Sequence, residues 1–290
     1  MANRRAAALA LAPARRRRVP TVTPFPTHCF LRLLHATARR RRRRLAAGSS
    51  TAAAAKHWKR SPPPRPEAEA QVSDAATDEA EEAVVAGKYW AQRHSLFSLY
   101  DLGVRMDAEG WYSATPESIA ATQAARAAPG DRVVDAFSGC GGNAIQFAAR
   151  GCRVVAVEID PRKAELAAHN ARIYGVQDRI QFLVGDFYRL APFLKADVVF
   201  LSPPWGGPSY IQAPVYTLDM LQPKDGHTMF HAALKISPNI ITFLPRTVDM
   251  NQVRGLSRLS CPHLDFESEE NYVNDRLIAT TAYFGKTARS

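Results

Sequence analysis

Cysteine is scarce in this 290-residue chain. Cys29, Cys140, Cys152 and Cys261 are the only four, and no two form a C-x-x-C pair, which fits a reducing compartment. Metal-ligand spacing is missing too: His94, His169, His227, His231 and His263 stand in no pattern with cysteines or acids, and the four-apart pair His227 and His231 has no H-E-x-x-H around it. No metal is expected. No apolar run reaches 18 residues, so no membrane span is expected. The glycines form neither G-x-G-x-x-G nor a G-x-x-x-x-G-K-[ST] loop, which disfavours a dinucleotide or nucleoside triphosphate site. Internal repeats are absent.

The most uneven absence is that of acid. Residues 1–65 hold 17 Lys and Arg and no Asp or Glu, so residues 66–290 carry 21 basic against 27 acidic residues, a net charge of −6. The overall +11 therefore describes a basic arm rather than a basic globular surface. Arg15 to Arg18 and Arg39 to Arg44 lie in an Ala, Ser and Pro background with no period that would build a core, and disorder is expected there. Two addresses fit such an arm: a nuclear or nucleolar signal, or an organellar transit peptide, which is also rich in Arg and Ser and poor in acid. Residues 61–66 are a proline-rich break, and residues 66–86 read as an acidic, Ala-rich linker or frayed helix. About 205 residues remain, enough for one domain with a sizeable core.

Within that domain the most informative feature is Ser202-Pro203-Pro204-Trp205, at the end of the apolar run Ala196 to Leu201. Two prolines fix φ twice and donate no hydrogen bond. The turn is stiff, and its carbonyls with the Ser202 hydroxyl can accept from a planar NH2 group, while Trp205 offers a flat ring beside that group. This is an arrangement suited to holding a nucleobase by its exocyclic amine.

Upstream, Asp131 to Phe137 reads as a short buried strand running into Ser138-Gly139-Cys140-Gly141-Gly142. A helix, Asn143 to Ala149, follows at once and is closed by Gly151. Glycines in such a turn let backbone approach a ligand, and the helix start offers free N–H groups. Cys140 in this turn is either a reactive thiol or a small packing residue. The next strand, Arg153 to Glu158, ends in an acid nineteen residues after Gly139, close to the distance at which nucleoside-binding α/β folds place a ribose carboxylate. Glu158 is the expected ribose ligand. Asp160 is the second choice, and with Pro161 after it, it also suits the cap of a helix Arg162 to Tyr174. A third strand, Ile180 to Gly185, ends at Asp186-Phe187, where an acid can accept from an adenine amine and a ring can cover the base. In an open parallel sheet, ligands bind at the carboxyl ends of the strands, so Asp135, Glu158, Asp186 and Ser202 are expected to line one crevice.

Residues 88–285 resemble the methyltransferase domain of the trimethylguanosine synthase family. The resemblance rests on Lys88-Tyr89-Trp90-Ala91-Gln92-Arg93, on Gly110-Trp111-Tyr112-Ser113 with Thr115-Pro116-Glu117, and on Asp135-Ala136-Phe137 with Gly139 and Gly141-Gly142-Asn143. Leu201 to Pro208 and Phe243-Leu244-Pro245-Arg246 complete it. It implies S-adenosyl-L-methionine as cofactor and transfer of methyl groups to the 2-amino group of 7-methylguanosine caps on small nuclear and nucleolar RNAs, with ribonucleoprotein proteins delivering the substrate. Catalytic positions would be Ser202, Pro203 and Trp205. Cofactor positions would be Phe97, Thr115, Asp135, Gly139, Glu158, Asp160 and Asp186. Family members usually carry Asp where Glu158 stands, one methylene shorter with the same acceptor chemistry. Lys88, Tyr210 and Arg246 match groups near the cap phosphates, Asn274 one in the cap pocket, and Trp205 the tryptophan that stacks on the methylated guanine.

The implied fold is a class I S-adenosylmethionine-dependent methyltransferase: Rossmann-like α/β, with seven mostly parallel strands, over residues 87–290 with a helical extension at 88–102. The last strands are expected at Asn239 to Leu244 and as a pair, Leu264 to Tyr272 and Arg276 to Phe284, joined near Asn274-Asp275. That pair must be antiparallel, since no helix intervenes. Longer relatives exist in the family, so any targeting domain is expected from another protein. Two other readings share these motifs, namely methylation of an internal guanine or adenine amine in ribosomal RNA, and a cap-binding adaptor with a dead site. The resemblance implies a nuclear enzyme; a transit peptide would make it organellar.

Overall fold

The computed structural model describes residues 84–289. The arginine blocks, the proline-rich break and the acidic linker up to residue 83 lie outside the described residues.

Seven strands form one sheet: β1 Arg132–Asp135, β2 Arg153–Glu158, β3 Ile180–Val184, β4 Val198–Leu201, β5 Ile240–Pro245, β6 Phe266–Val273 and β7 Arg276–Phe284. Their order is β3-β2-β1-β4-β5-β7-β6. The first five are parallel, and β7 lies antiparallel between β5 and β6. Short apolar runs such as Val198–Leu201, buried at every position, suit strands covered on both faces. Chain order runs outward from β1 in both directions, to β2 and β3 on one side and β4 and β5 on the other. The crevice between β1 and β4 is the switch point at which such sheets bind ligands.

Alternation along the strands divides the core between two faces. Val133 and Phe200 belong to one buried cluster with Phe147, while Val134, Val199 and Leu201 belong to another with Phe230 and Phe284. Phe147 meets Phe200 at 5.6 Å between ring centroids, and Phe230 meets Phe284 at 4.7 Å. Each such ring contributes roughly 1.5–3 kcal/mol by burial. Trp205 packs against both clusters, at the end of the sheet where they meet.

The main helices are α1 Glu117–Ala124, α2 Gly142–Ala149, α3 Pro161–Ile173, α4 Phe187–Leu190, α5 Gly226–Leu234 and α6 Met250–Leu256. The expected helical extension is present, as a series of short helices. It consists of short turns, among them Trp90–Gln92, Arg93–Leu96 and Tyr100–Leu102, interrupted at Phe97, whose backbone is extended. Side chains rather than helix length hold it: Tyr100 meets Trp90 edge-on and Trp111 at a tilt, and Glu117 accepts from the Ser98 amide and hydroxyl and from Tyr174. The terminal hairpin turns at Asn274 and Asp275, with φ of +49° and +60°. Two successive positive φ values are what a two-residue turn needs to match the twist of its strands, and Asn and Asp tolerate them.

Candidate active site

A cavity of about 490 Å³ opens at the carboxyl ends of the parallel strands. Asp135, Gly139, Glu158 and Asp186 line one half of it, and Ser202, Pro203, Trp205, Tyr210 and Arg246 the other. The four strand ends expected to share a crevice do share it.

Glu158 is 8% exposed and held at both oxygens, Oε2 accepting from the Gly139 amide at 2.7 Å and Oε1 from the Asp160 amide at 3.0 Å. The extra methylene relative to Asp is thereby immobilised, and each oxygen keeps a second lone pair for a hydroxyl in the cavity. Gly141 makes the turn possible. Its φ is +91°, and a Cβ there would stand 3.0 Å from that of Ala167, so the turn can lie this close to α3 only with glycine. Asp135 is 1% exposed, and neither carboxylate oxygen has a hydrogen-bond partner among the described residues. Burial pushes its pKa up to about 7, and the nearby Glu158 charge adds to this. The Phe137 and Ala144 amides, short of hydrogen-bond geometry, pull it partly back. Asp186 caps α4 through Oδ1, which accepts from the Tyr188 amide at 2.8 Å. The Cys140 thiol is buried and pushed up to about 12 by that burial, which favours its reading as a packing residue.

Across the cavity, the Trp205 ring is wedged between Tyr210 and Phe243, at centroid distances of 5.1 and 5.4 Å, and its Nε1 donates to the Phe243 carbonyl at 3.4 Å. Two carbonyls of the proline turn are occupied: that of Pro204 accepts from the Gln222 amide and that of Trp205 from the Tyr216 hydroxyl. Acceptors left for a base amine are therefore those of Ser202 and Pro203, a narrower set than the turn as a whole. Burial raises the Tyr210 pKa, while Arg246 and Arg276 both act on it in the opposite sense. Both guanidinium groups belong to residues that line the same cavity as this phenol.

Thr115 and Arg246 line the cavity as expected. Four other expected residues do not. Phe97 is a core residue behind the turn, 3.6 Å from where a Gly142 side chain would begin. Asp160 caps α3, accepting from the Arg162 amide at 2.8 Å. Lys88 is exposed, its ammonium over the ring of Tyr89, and Tyr89 is the neighbour that lines the cavity. Asn274 is exposed in the hairpin turn, where its φ accounts for its identity.

Arg276 and Ile278 line the cavity without any local sequence signal. They arrive because β7 runs antiparallel to β5 with Pro245 opposite Ala279, so the residues before Ala279 stand beside Arg246. Asn143 was named within a motif but given no site role, and Lys163 was missed; Lys163 pairs with Glu109 and, at 3.7 Å, with Asp107, and all three line the cavity. Among the described residues, no group of three or more His, Cys, Asp or Glu is arranged to hold a metal ion, and no helix is long and apolar enough to cross a membrane.

The donor set fits a sulfonium nucleoside. A fixed carboxylate at Glu158 suits a ribose, Asp186 an adenine amine, and the unpartnered carboxylate of Asp135 a nearby cation.

A family model described as RNA cap guanine-N2 methyltransferase matches residues 130–287, just over half of the chain. Trimethylguanosine synthase of Schizosaccharomyces pombe is 43% identical over 175 residues, covering 57% of this chain and 73% of that protein. Trimethylguanosine synthase of Saccharomyces cerevisiae is 41% identical over 182 residues, covering 59% of this chain and 58% of that protein. In fold, the chain is similar to the solved structure of a candidate methyltransferase from Porphyromonas gingivalis W83, with a TM-score of 0.56 at 15% identity over 70% of this chain and 49% of that one.

Proposed function

The chain belongs to the RNA cap guanine-N2 methyltransferase family, and from that premise we propose that it converts 7-methylguanosine caps of small nuclear and nucleolar RNAs to 2,2,7-trimethylguanosine. The activity class is an S-adenosylmethionine-dependent methyltransferase acting on RNA. The cap specificity is the finer reading, and it rests on one observation: the Trp205 ring stands beside the Ser202–Pro203 acceptors in the cavity that also holds Glu158 and two arginines.

When bound, the cofactor supplies an electrophilic methyl group on a positively charged sulfur. Glu158, Asp186, Asp135 and Thr115 would hold it. On the other side, a 7-methylguanine ring carries positive charge, so stacking on Trp205 gains roughly 0.5–2 kcal/mol beyond ordinary stacking. Ser202 and Pro203 would accept from the 2-amino group and favour its pyramidal, nucleophilic form. Arg246, Arg276 and Tyr210 would grip the triphosphate bridge, since guanidinium forks match phosphate oxygens. The chain then has to align a nitrogen with a methyl group, and alignment is the larger lever in such a displacement.

The net charge of −6 over residues 66–290 supports recognition at the cap itself, with the RNA body left to the basic arm and to ribonucleoprotein proteins. The arginine blocks support a nuclear address, which localisation of the full chain against one lacking residues 1–65 tests. The deciding assay offers labelled S-adenosylmethionine with a 7-methylguanosine cap dinucleotide, an unmethylated cap and an uncapped RNA. Product only from the methylated cap is expected. Product only from uncapped RNA would move the chain to internal-base methylation, and cofactor binding without any product would make it an adaptor.

A further inference from the structure

One buried polar side chain on the cavity wall has no role in the site as described. Asn143, the second residue of α2, is 7% exposed and lines the cavity beside Thr115 and Gly142. Its amide nitrogen is committed, donating to Oε1 of Gln123 at 2.7 Å. Gln123 is fully buried and in turn donates from Nε2 to the Thr281 hydroxyl at 2.9 Å, and that hydroxyl donates to Oδ1 of Asn271 at 2.6 Å. This chain of donors runs from the glycine turn through α1 to β7 and β6.

Every group in it is oriented by the next. A buried amide that left a donor unsatisfied would cost about 1–3 kcal/mol, so the relay holds Asn143 in one rotamer. The consequence lies at its open end: with the NH2 group tied to Gln123, Asn143 offers its carbonyl oxygen, an acceptor with no hydrogen bond to any described residue, at the cavity wall.

We propose that Oδ1 of Asn143 accepts from the α-ammonium of the cofactor's methionine part, and that Gln123, Thr281 and Asn271 are positioning residues for it. The inference rests on the reading that this cavity binds S-adenosylmethionine. With the ribose at Glu158 and the adenine at Asp186, the amino-acid end would meet other lining residues, among them Asp135, Thr115 and Asn143. A carbonyl oxygen and a carboxylate lining the same cavity are suitable acceptors for a cation carrying three donors.

The test is calorimetric titration of the full chain with two ligands that differ only at this end: S-adenosylhomocysteine, and methylthioadenosine, which lacks the amino-acid group. Asn143→Ala is expected to weaken S-adenosylhomocysteine about tenfold, the loss of a hydrogen bond to a charged group, and to leave methylthioadenosine unchanged. Thr281→Val, remote from the cavity, should reproduce part of that selective loss, and Thr281→Ser should restore wild-type affinity. Methylthioadenosine binding also reports whether each variant is folded. Equal weakening of both ligands, or no change in either, would overturn the assignment while leaving the cofactor reading intact. Failure of the unaltered chain to bind either ligand would overturn both.

Discussion

The Gly139 amide donates to Oε2 of Glu158 at 2.7 Å, so the turn after β1 and the acid after β2 form one unit. The same carboxylate takes the Asp160 amide on its other oxygen. Glu158→Ala therefore removes the expected ribose acceptor and two backbone anchors together. Loss of charged hydrogen bonds of about 1.5–3 kcal/mol each predicts cofactor affinity at least roughly tenfold weaker. Glu158→Gln, which keeps only one acceptor oxygen, should fall between. Titration with S-adenosylhomocysteine checks this, and unchanged affinity in Glu158→Ala would remove the ribose assignment.

Trp205 serves as platform and as packing, because it touches both hydrophobic clusters. Trp205→Ala is expected to remove cap methylation while largely sparing cofactor affinity. Trp205→Phe separates the two roles: the aromatic face survives, the Nε1 bond to the Phe243 carbonyl is lost, and KM for the cap should rise roughly tenfold, within the range of base-stacking energies. Equal loss of cap and cofactor binding in both variants would make Trp205 purely structural.

The half of the site built at strand ends was legible in the sequence, because each of Asp135, Glu158, Asp186 and Ser202 stands at or just after the end of a strand and a parallel sheet brings such ends together. The proline turn was legible from covalent chemistry alone. What escaped depends on pairing at long range. Arg276 reaches the cavity only through the β5–β7 register, which no local pattern specifies. Asn274 belongs to the turn just before it, a position whose positive φ accounts for the residue without a ligand. Phe97 looked like a cofactor neighbour and is one shell behind, since burial against a turn and contact with its ligand leave the same apolar residue in the sequence. Asn143 was noticed as part of a motif, yet its orientation depends on Gln123 and Thr281, 20 and 138 positions away, and could not be read locally.

Arg276 and Arg246 bring positive charge to the cavity that Trp205 lines. Arg276→Ala and Arg246→Ala should each raise KM for a cap dinucleotide by roughly tenfold or more, on the scale of a lost charged hydrogen bond, with cofactor affinity unchanged. Weaker salt dependence of cap binding in each variant, measured by fluorescence titration, would mark the lost phosphate contact, since such contacts carry the salt term. A variant that lowers kcat alone would place that arginine outside phosphate binding.

Asp135 makes stability depend on pH. Its folded-state pKa, raised to about 7 by burial, exceeds the ordinary carboxyl value of 3.8, so between those values the folded chain binds more protons than the unfolded one. Stability therefore falls as pH rises through this window, and the cost of ionising a buried, unpartnered carboxylate is fully present above about pH 7. It is on the order of a few kcal/mol. Asp135→Asn removes it, and the ligand-free variant should gain melting temperature over the unaltered chain at pH 8 and little at pH 4. Binding a cationic group of the cofactor near the carboxylate favours its charged form, so cofactor affinity should rise with pH up to about 7, with proton release, and Asp135→Asn should flatten that rise. Calorimetry in buffers of different ionisation enthalpy measures the protons directly. Equal melting gains at both pH values, with no proton release, would show that Asp135 keeps one protonation state throughout.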